Sequence, residues 1–126
     1  MKPITKVLLL IAIVGCLAAC KKDENSKSLI GTWRHVTSSY GTGFEYVTAP
    51  AKNKNGYITF YSDGKLKSNV MLEYVRYSIT DSVKVAFFKA DSTLQNYRYI
   101  IRGDSLSMSP AGPIVCFEGC STTFKR

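Results

Sequence analysis

One unbroken apolar run opens the chain and is never repeated. Val7, Leu8, Leu9, Leu10, Ile11, Ala12, Ile13 and Val14 follow Lys2 and Lys6 and give way to small residues before Cys20. From residue 29 onward, apolar and polar positions alternate with period two, the repeat of a strand with one buried face. Ile58 and Phe60 oppose Thr59 and Tyr61, and Leu66, Val70 and Leu72 share a face with Ser68. Val75, Tyr77 and Ile79 oppose Tyr74, Arg76 and Ser78, while Val83, Val85 and Phe87 oppose Lys84 and Phe88. Tyr97, Tyr99 and Ile101 oppose Arg98 and Arg102, and Leu106, Met108 and Phe124 continue the inward set. Turn signals punctuate these runs at Asn55-Gly56, Asp63-Gly64, Asp81-Ser82, Asp91-Ser92, Gly103-Asp104 and Pro110-Ala111-Gly112-Pro113. The pattern predicts strands near 31–39, 43–48, 56–62, 65–72, 74–80, 83–89, 95–102 and 105–109, with a last one near 119–125. A row of short neighbouring strands leaves two open edges unless it closes on itself. The expected fold is therefore all-β, a small up-and-down antiparallel β-barrel of about eight strands, preceded by an N-terminal signal helix.

The opening run has the charged, apolar and small-residue order of a secretory signal. It is shorter than the roughly 20 apolar residues a membrane span requires, and Lys21 and Lys22 close it. Leu17-Ala18-Ala19-Cys20 resembles the lipobox of bacterial lipoproteins. That resemblance implies cleavage before Cys20, a diacylglyceryl group on its thiol and attachment to a membrane. Lys21 to Ser28 are polar and without apolar period, which reads as a flexible tether. Within it, Lys22-Asp23-Glu24 resembles the Lys-acid-acid signal that sends lipoproteins of the Bacteroidota to the outer face of the outer membrane; an ordinary charged linker is the competing reading. Three segments result: a signal peptide at 1–19, a lipidated Cys and tether at 20–28, and one domain at 29–126, expected to be monomeric.

Charge and cysteines narrow the field. The whole chain carries +8, and removal of Lys2 and Lys6 leaves 15 basic against 9 acidic side chains, or +6. The basic residues are spread one or two to a segment, unlike the clustered stripe of a nucleic-acid binder. A solvated surface, or lipid and glycan anions at an envelope, fits this spread better. Cys16 leaves with the signal, so Cys116 and Cys120 are the remaining thiols. In an oxidising compartment they read as a disulfide over Phe117-Glu118-Gly119. Zinc would need four ligands, which two Cys and a single His at this spacing do not supply.

At the start of the domain, Leu29-Ile30-Gly31-Thr32-Trp33 resembles the Gly-x-Trp opening of the lipocalins. The end of the chain, Cys116-x-Glu118-Gly119-Cys120 followed by Phe124-x-Arg126, is similar to the small lipocalin-like lipoproteins of Bacteroidota. The resemblance covers residues 29–126 and implies that Trp33 plugs one end of the barrel with Arg126 lying across it. The chain is shorter than typical lipocalins and lacks their C-terminal helix. The resemblance implies a small hydrophobic or amphipathic ligand; no cofactor and no catalytic activity are expected.

The inward aromatics leave two readings open, since an eight-stranded barrel is just wide enough to be filled or to hold one small ligand. Phe60, Tyr77, Phe87, Tyr97 and Tyr99 are either core or the lining of a ligand cavity. Catalytic candidates are sparse. His35 is the single His, and Ser38 or Ser39 beside it makes a weak triad without an orienting acid. Glu45, Glu73 and Glu118 fall in different segments, and no phosphate loop, dinucleotide turn or metal-ligand run is present. The alternative to a ligand-binding barrel is a filled scaffold acting on a protein through loops between residues 40 and 55, among them Tyr40 to Phe44 and Pro50 to Asn55.

Overall fold

The computed structural model describes residues 28–126; the signal segment, Cys20 and most of the tether lie outside the described residues. Nine strands run in chain order: β1 (Gly31–Gly41), β2 (Tyr46–Pro50), β3 (Tyr57–Phe60), β4 (Leu66–Ser68), β5 (Tyr74–Ile79), β6 (Lys84–Lys89), β7 (Leu94–Arg102), β8 (Ser105–Gly112) and β9 (Cys120–Lys125). All pair antiparallel in a single sheet, ordered β4-β3-β1-β9-β8-β7-β6-β5, with β2 also on β1. β2 and β3 occupy successive stretches of the same flank of β1, so nine strands fill eight positions. The interruption between them is bridged by hydrogen bonds from the His35 N–H to the Gly56 carbonyl and from the Ala51 N–H to the Val36 carbonyl.

The first and last strands are neighbours, β1 pairing with β9 from Arg34–Lys125 to Tyr40–Cys120. At the other seam, β4 and β5 meet through a Lys65–Arg76 bridge and a hydrogen bond from the Tyr77 N–H to the Gly64 carbonyl. The Tyr77 hydroxyl adds a 2.6 Å bond to the Tyr61 carbonyl. The sheet is thus a nearly closed antiparallel barrel, which leaves few unpaired edge groups.

One cluster fills its centre. Trp33, Ile58, Phe60, Val85, Phe87, Leu106, Met108 and Phe124 are all less than 2 % exposed. Burying each of the larger side chains contributes roughly 1.5–3 kcal/mol. Tyr77, Phe60, Phe87 and Tyr97 form a chain of ring contacts at 5.0, 5.8 and 4.8 Å between centroids.

The strand pattern departs from the sequence expectation in several places; Ile79 and Val83, expected inward, are both exposed where they flank the β5–β6 turn. Leu72 was expected inward at the end of a long fourth strand, but β4 stops at Ser68 and Leu72 is exposed. The Ser68 hydroxyl accepts the N–H groups of Val70 and Met71 at 3.0 Å each, which turns the chain out of the sheet. In β5 a bulge between Tyr74 and Arg76 shifts the parity, so Tyr74 joins Tyr77 in the core and Val75 faces out. β8 continues through Pro110 to Gly112, because a second irregularity opposite Asn96 and Tyr97 accommodates a residue with no N–H to donate.

Candidate functional site

The two ends of the barrel are built differently. At the end where residue 28 enters, the Trp33 indole donates to the Leu29 carbonyl at 2.9 Å. The Arg126 guanidinium carbon lies 4.2 Å from the Trp33 ring centroid. The same guanidinium donates to the carbonyls of Ser28 and Ile30 at 3.2 and 3.4 Å, and the Arg126 N–H bonds the Asp104 carbonyl. Cation–ring attraction and two carbonyl contacts therefore tie the last residue over the first strand.

At the far end, residues 42–45 and 113–119 form two loops that brace each other. The Thr42 hydroxyl accepts the N–H groups of Phe44 and Glu45, and the Thr42 N–H bonds the Glu45 carbonyl. The second loop is closed by the Cys116–Cys120 disulfide, with Gly119 at φ +84° giving its turn. A buried amide pins its entrance: the Gln95 side chain donates to the Ile114 carbonyl at 2.9 Å and accepts the Ile114 N–H at 3.1 Å. The loops touch where the Gly41 N–H bonds the Gly119 carbonyl at 2.9 Å. A Cβ at position 41 would overlap the Glu118 carbonyl, so only glycine allows this approach. The Tyr46 hydroxyl bonds Ser121 at 3.2 Å.

Each loop carries Phe-Glu at its tip. Phe44 and Phe117 are fully exposed, Glu45 and Glu118 follow them, and Ile114 and Val115 extend the apolar area. Leaving two phenyl rings in water forgoes their burial energy in the isolated chain, and large apolar groups left exposed on braced loops mark interaction surfaces.

The residues expected to line a ligand cavity separate into two groups. Phe60 and Phe87 are packed core, while Tyr77 is at the edge of burial and Tyr97 and Tyr99 are half-buried. Burial and then Tyr74 push the Tyr97 phenol well above the ordinary tyrosine value of 10.0, which keeps it protonated. Burial also raises Tyr77, aided by Asp63, and Tyr99, aided by Asp81. None of the three phenols is set up as a base at neutral pH.

His35 and Ser38 come together on one strand, Nε2 and Oγ 2.9 Å apart, because the bulge after His35 brings residues three apart onto one face. The imidazole packs on Phe124 at 5.5 Å. Among the described residues no carboxylate bonds this pair and no group of three or more His, Cys, Asp and Glu converges. Glu45 and Glu118 lie on the braced loops and Glu73 on the β4–β5 connection.

The far-end cluster was only partly visible in the sequence. Residues 40–45 and the disulfide loop were each legible, but their contact was not. Gly41 carries no turn signal that distinguishes close approach from simple flexibility, and Gln95 reads as a polar break in an inward run rather than a clamp. The chain matches no family model, and none of the curated proteins is similar to it.

Proposed function

We propose that the protein is a cell-envelope lipoprotein, anchored through Cys20, whose lipocalin-like barrel is a filled scaffold that docks a protein partner on its far-end loops. Phe44 and Phe117 carry this reading: two fully exposed rings on loops held together by a backbone bond and a disulfide. Fixing the loops before binding lowers the ordering cost of association, and aromatic side chains are the usual anchors of an interface. Glu45 and Glu118 beside them favour a partner whose apolar pockets are rimmed by basic groups. The tether joins the barrel at residue 28, at the opposite end, so an anchor on Cys20 leaves these loops free to meet a partner. No cofactor or catalytic step is part of this function, and outer-membrane display follows from the Lys22-Asp23-Glu24 resemblance.

A small amphipathic ligand inside the barrel is the second reading. The half-buried Tyr97 and Tyr99, packed against the core cluster, favour it, since their hydroxyls could orient an amphipathic molecule. Such a ligand would have to displace the ring contacts around Phe87, whereas docking on the loops disturbs nothing.

Photo-crosslinking in intact cells separates the loops from the rest of the surface. A photoreactive residue at position 44 or 117 is expected to give one discrete protein adduct, and one at exposed Lys67 none. The adduct at 117 should vanish when Phe44→Ala is added. Equal labelling from all three positions would refute loop docking.

A further inference from the structure

Below the disulfide loop, on the outer wall of the barrel, lies a groove of about 560 Å³, a volume in the range of small-molecule sites. Lys84 and Arg98 lie on one wall, with Ser109 beside them. Tyr46 and the Cys116–Cys120 loop also border it. We propose that this groove binds a phosphate monoester carried on a sugar-sized group.

Register carries the argument first. Lys84 on β6 stands directly opposite Arg98 on β7, and Arg98 directly opposite Ser109 on β8. Their neighbours Val85 and Met108 belong to the core cluster and Tyr97 packs against it, so all three point outward on one line across adjacent strands. Each step is about 4.8 Å. Like charges directly opposite each other on a sheet repel. The chain does not neutralise them: among the described residues the one ion pair joins Lys65 and Asp63. Asp81, the acid nearest in sequence, uses its carboxylate to accept the N–H groups of Val83 and Lys84.

A wider asymmetry points the same way. Every carboxylate in the described residues (Glu45, Asp63, Glu73, Asp81, Asp91, Asp104 and Glu118) sits in a turn or loop, and none on a strand. The outer wall therefore presents cations and hydroxyls without an acid among them.

Ligand chemistry follows from the pair. Two fixed cations match a dianion, and a phosphate monoester carries nearly two negative charges at neutral pH. The Arg98 guanidinium suits two phosphate oxygens at once, Lys84 supplies a point charge, and the Ser109 hydroxyl can donate to a third oxygen. A carboxylate brings half the charge. Tyr46, its hydroxyl held by Ser121, gives the groove a fixed aromatic wall for a sugar ring, and the disulfide stiffens the edge. A glycolipid headgroup and a free sugar phosphate share this chemistry.

Amide NMR of the full chain in detergent micelles tests the proposal with glucose 1-phosphate as probe. Saturable shifts are expected at Lys84, Arg98, Ser109 and Gly119, with glucose inert and glucuronate at least tenfold weaker. The double variant Lys84→Gln/Arg98→Gln should lose at least tenfold in affinity, and Lys67→Gln none. Without ligand, Lys84→Gln alone should raise the melting temperature, because it relieves the repulsion; this keeps folding and binding distinguishable. A glycolipid bearing a phosphate monoester, mixed into the micelles, identifies the source. Tighter response to it than to glucose 1-phosphate assigns a headgroup, and the reverse a soluble ligand. No shift with either probe, or shifts unaffected by the double variant, would overturn the site.

Discussion

The tether end and the far end of this barrel are both covered, but by opposite means. At the tether end a large apolar ring is buried, and the Arg126 cation covers it with hydrogen bonds to Ser28 and Ile30, just before the first strand. At the far end the covering loops are stiff yet turn their largest apolar groups outward. The contrast separates side chains that hold the fold from side chains the fold does not need. Trp33 and Arg126 use their chemistry inside the fold, so changes there should be felt as stability. Phe44 and Phe117 contribute little to the fold, so their retention in water asks for an explanation outside it.

The comparison can be broken at three points. Trp33→Ala removes the largest core side chain and should cost about 3–5 kcal/mol in urea unfolding. Loss below 1 kcal/mol would mean that the tether end is not the closed end. Replacing both Cys116 and Cys120 by Ser opens a five-residue loop, worth about 2 kcal/mol by loop-closure entropy. Hydrogen exchange should then rise at residues 41–45 and 113–120 while the Trp33 end stays protected; uniform loosening would contradict independent ends. Arg126→Ala should cost about 0.5–2 kcal/mol as a lost cation–ring contact. Its effect on partner crosslinking from position 117 should be nil, and a loss there would join the two ends into one site.

Much of this architecture was legible because period-two alternation survives in most strands. Ile58 and Phe60, Val85 and Phe87, Leu106 and Met108 each declare their face. Trp33 and Phe124, one at each extremity of the domain, lie in paired strands as a closed sheet requires. The misplaced residues share a physical cause. A bulge beside Val75 and the Ser68 hydroxyl at the end of β4 change direction through single local hydrogen-bonding choices, which hydrophobic alternation does not record. The site was less legible than the fold for a related reason. Phe117 is 73 residues from Phe44, and the two loops are joined by a backbone bond from the Gly41 N–H to the Gly119 carbonyl and by Glu118 lying against Gly41 and Gly43, contacts that no local pattern announces. Likewise, Lys84 and Arg98 become a pair only once the β6–β7 register is known.

A filled barrel that works through its outer surface leaves no room for a ligand inside. Thermal unfolding in the presence of fatty acids, sterols and bile acids tests it most directly. A ligand bound inside at 100 times its dissociation constant would add about 2.7 kcal/mol of stability. No saturable rise in melting temperature is expected with any of these classes. A saturable rise that persists in the Phe44→Ala/Phe117→Ala double variant would place an apolar ligand within the barrel and contradict it.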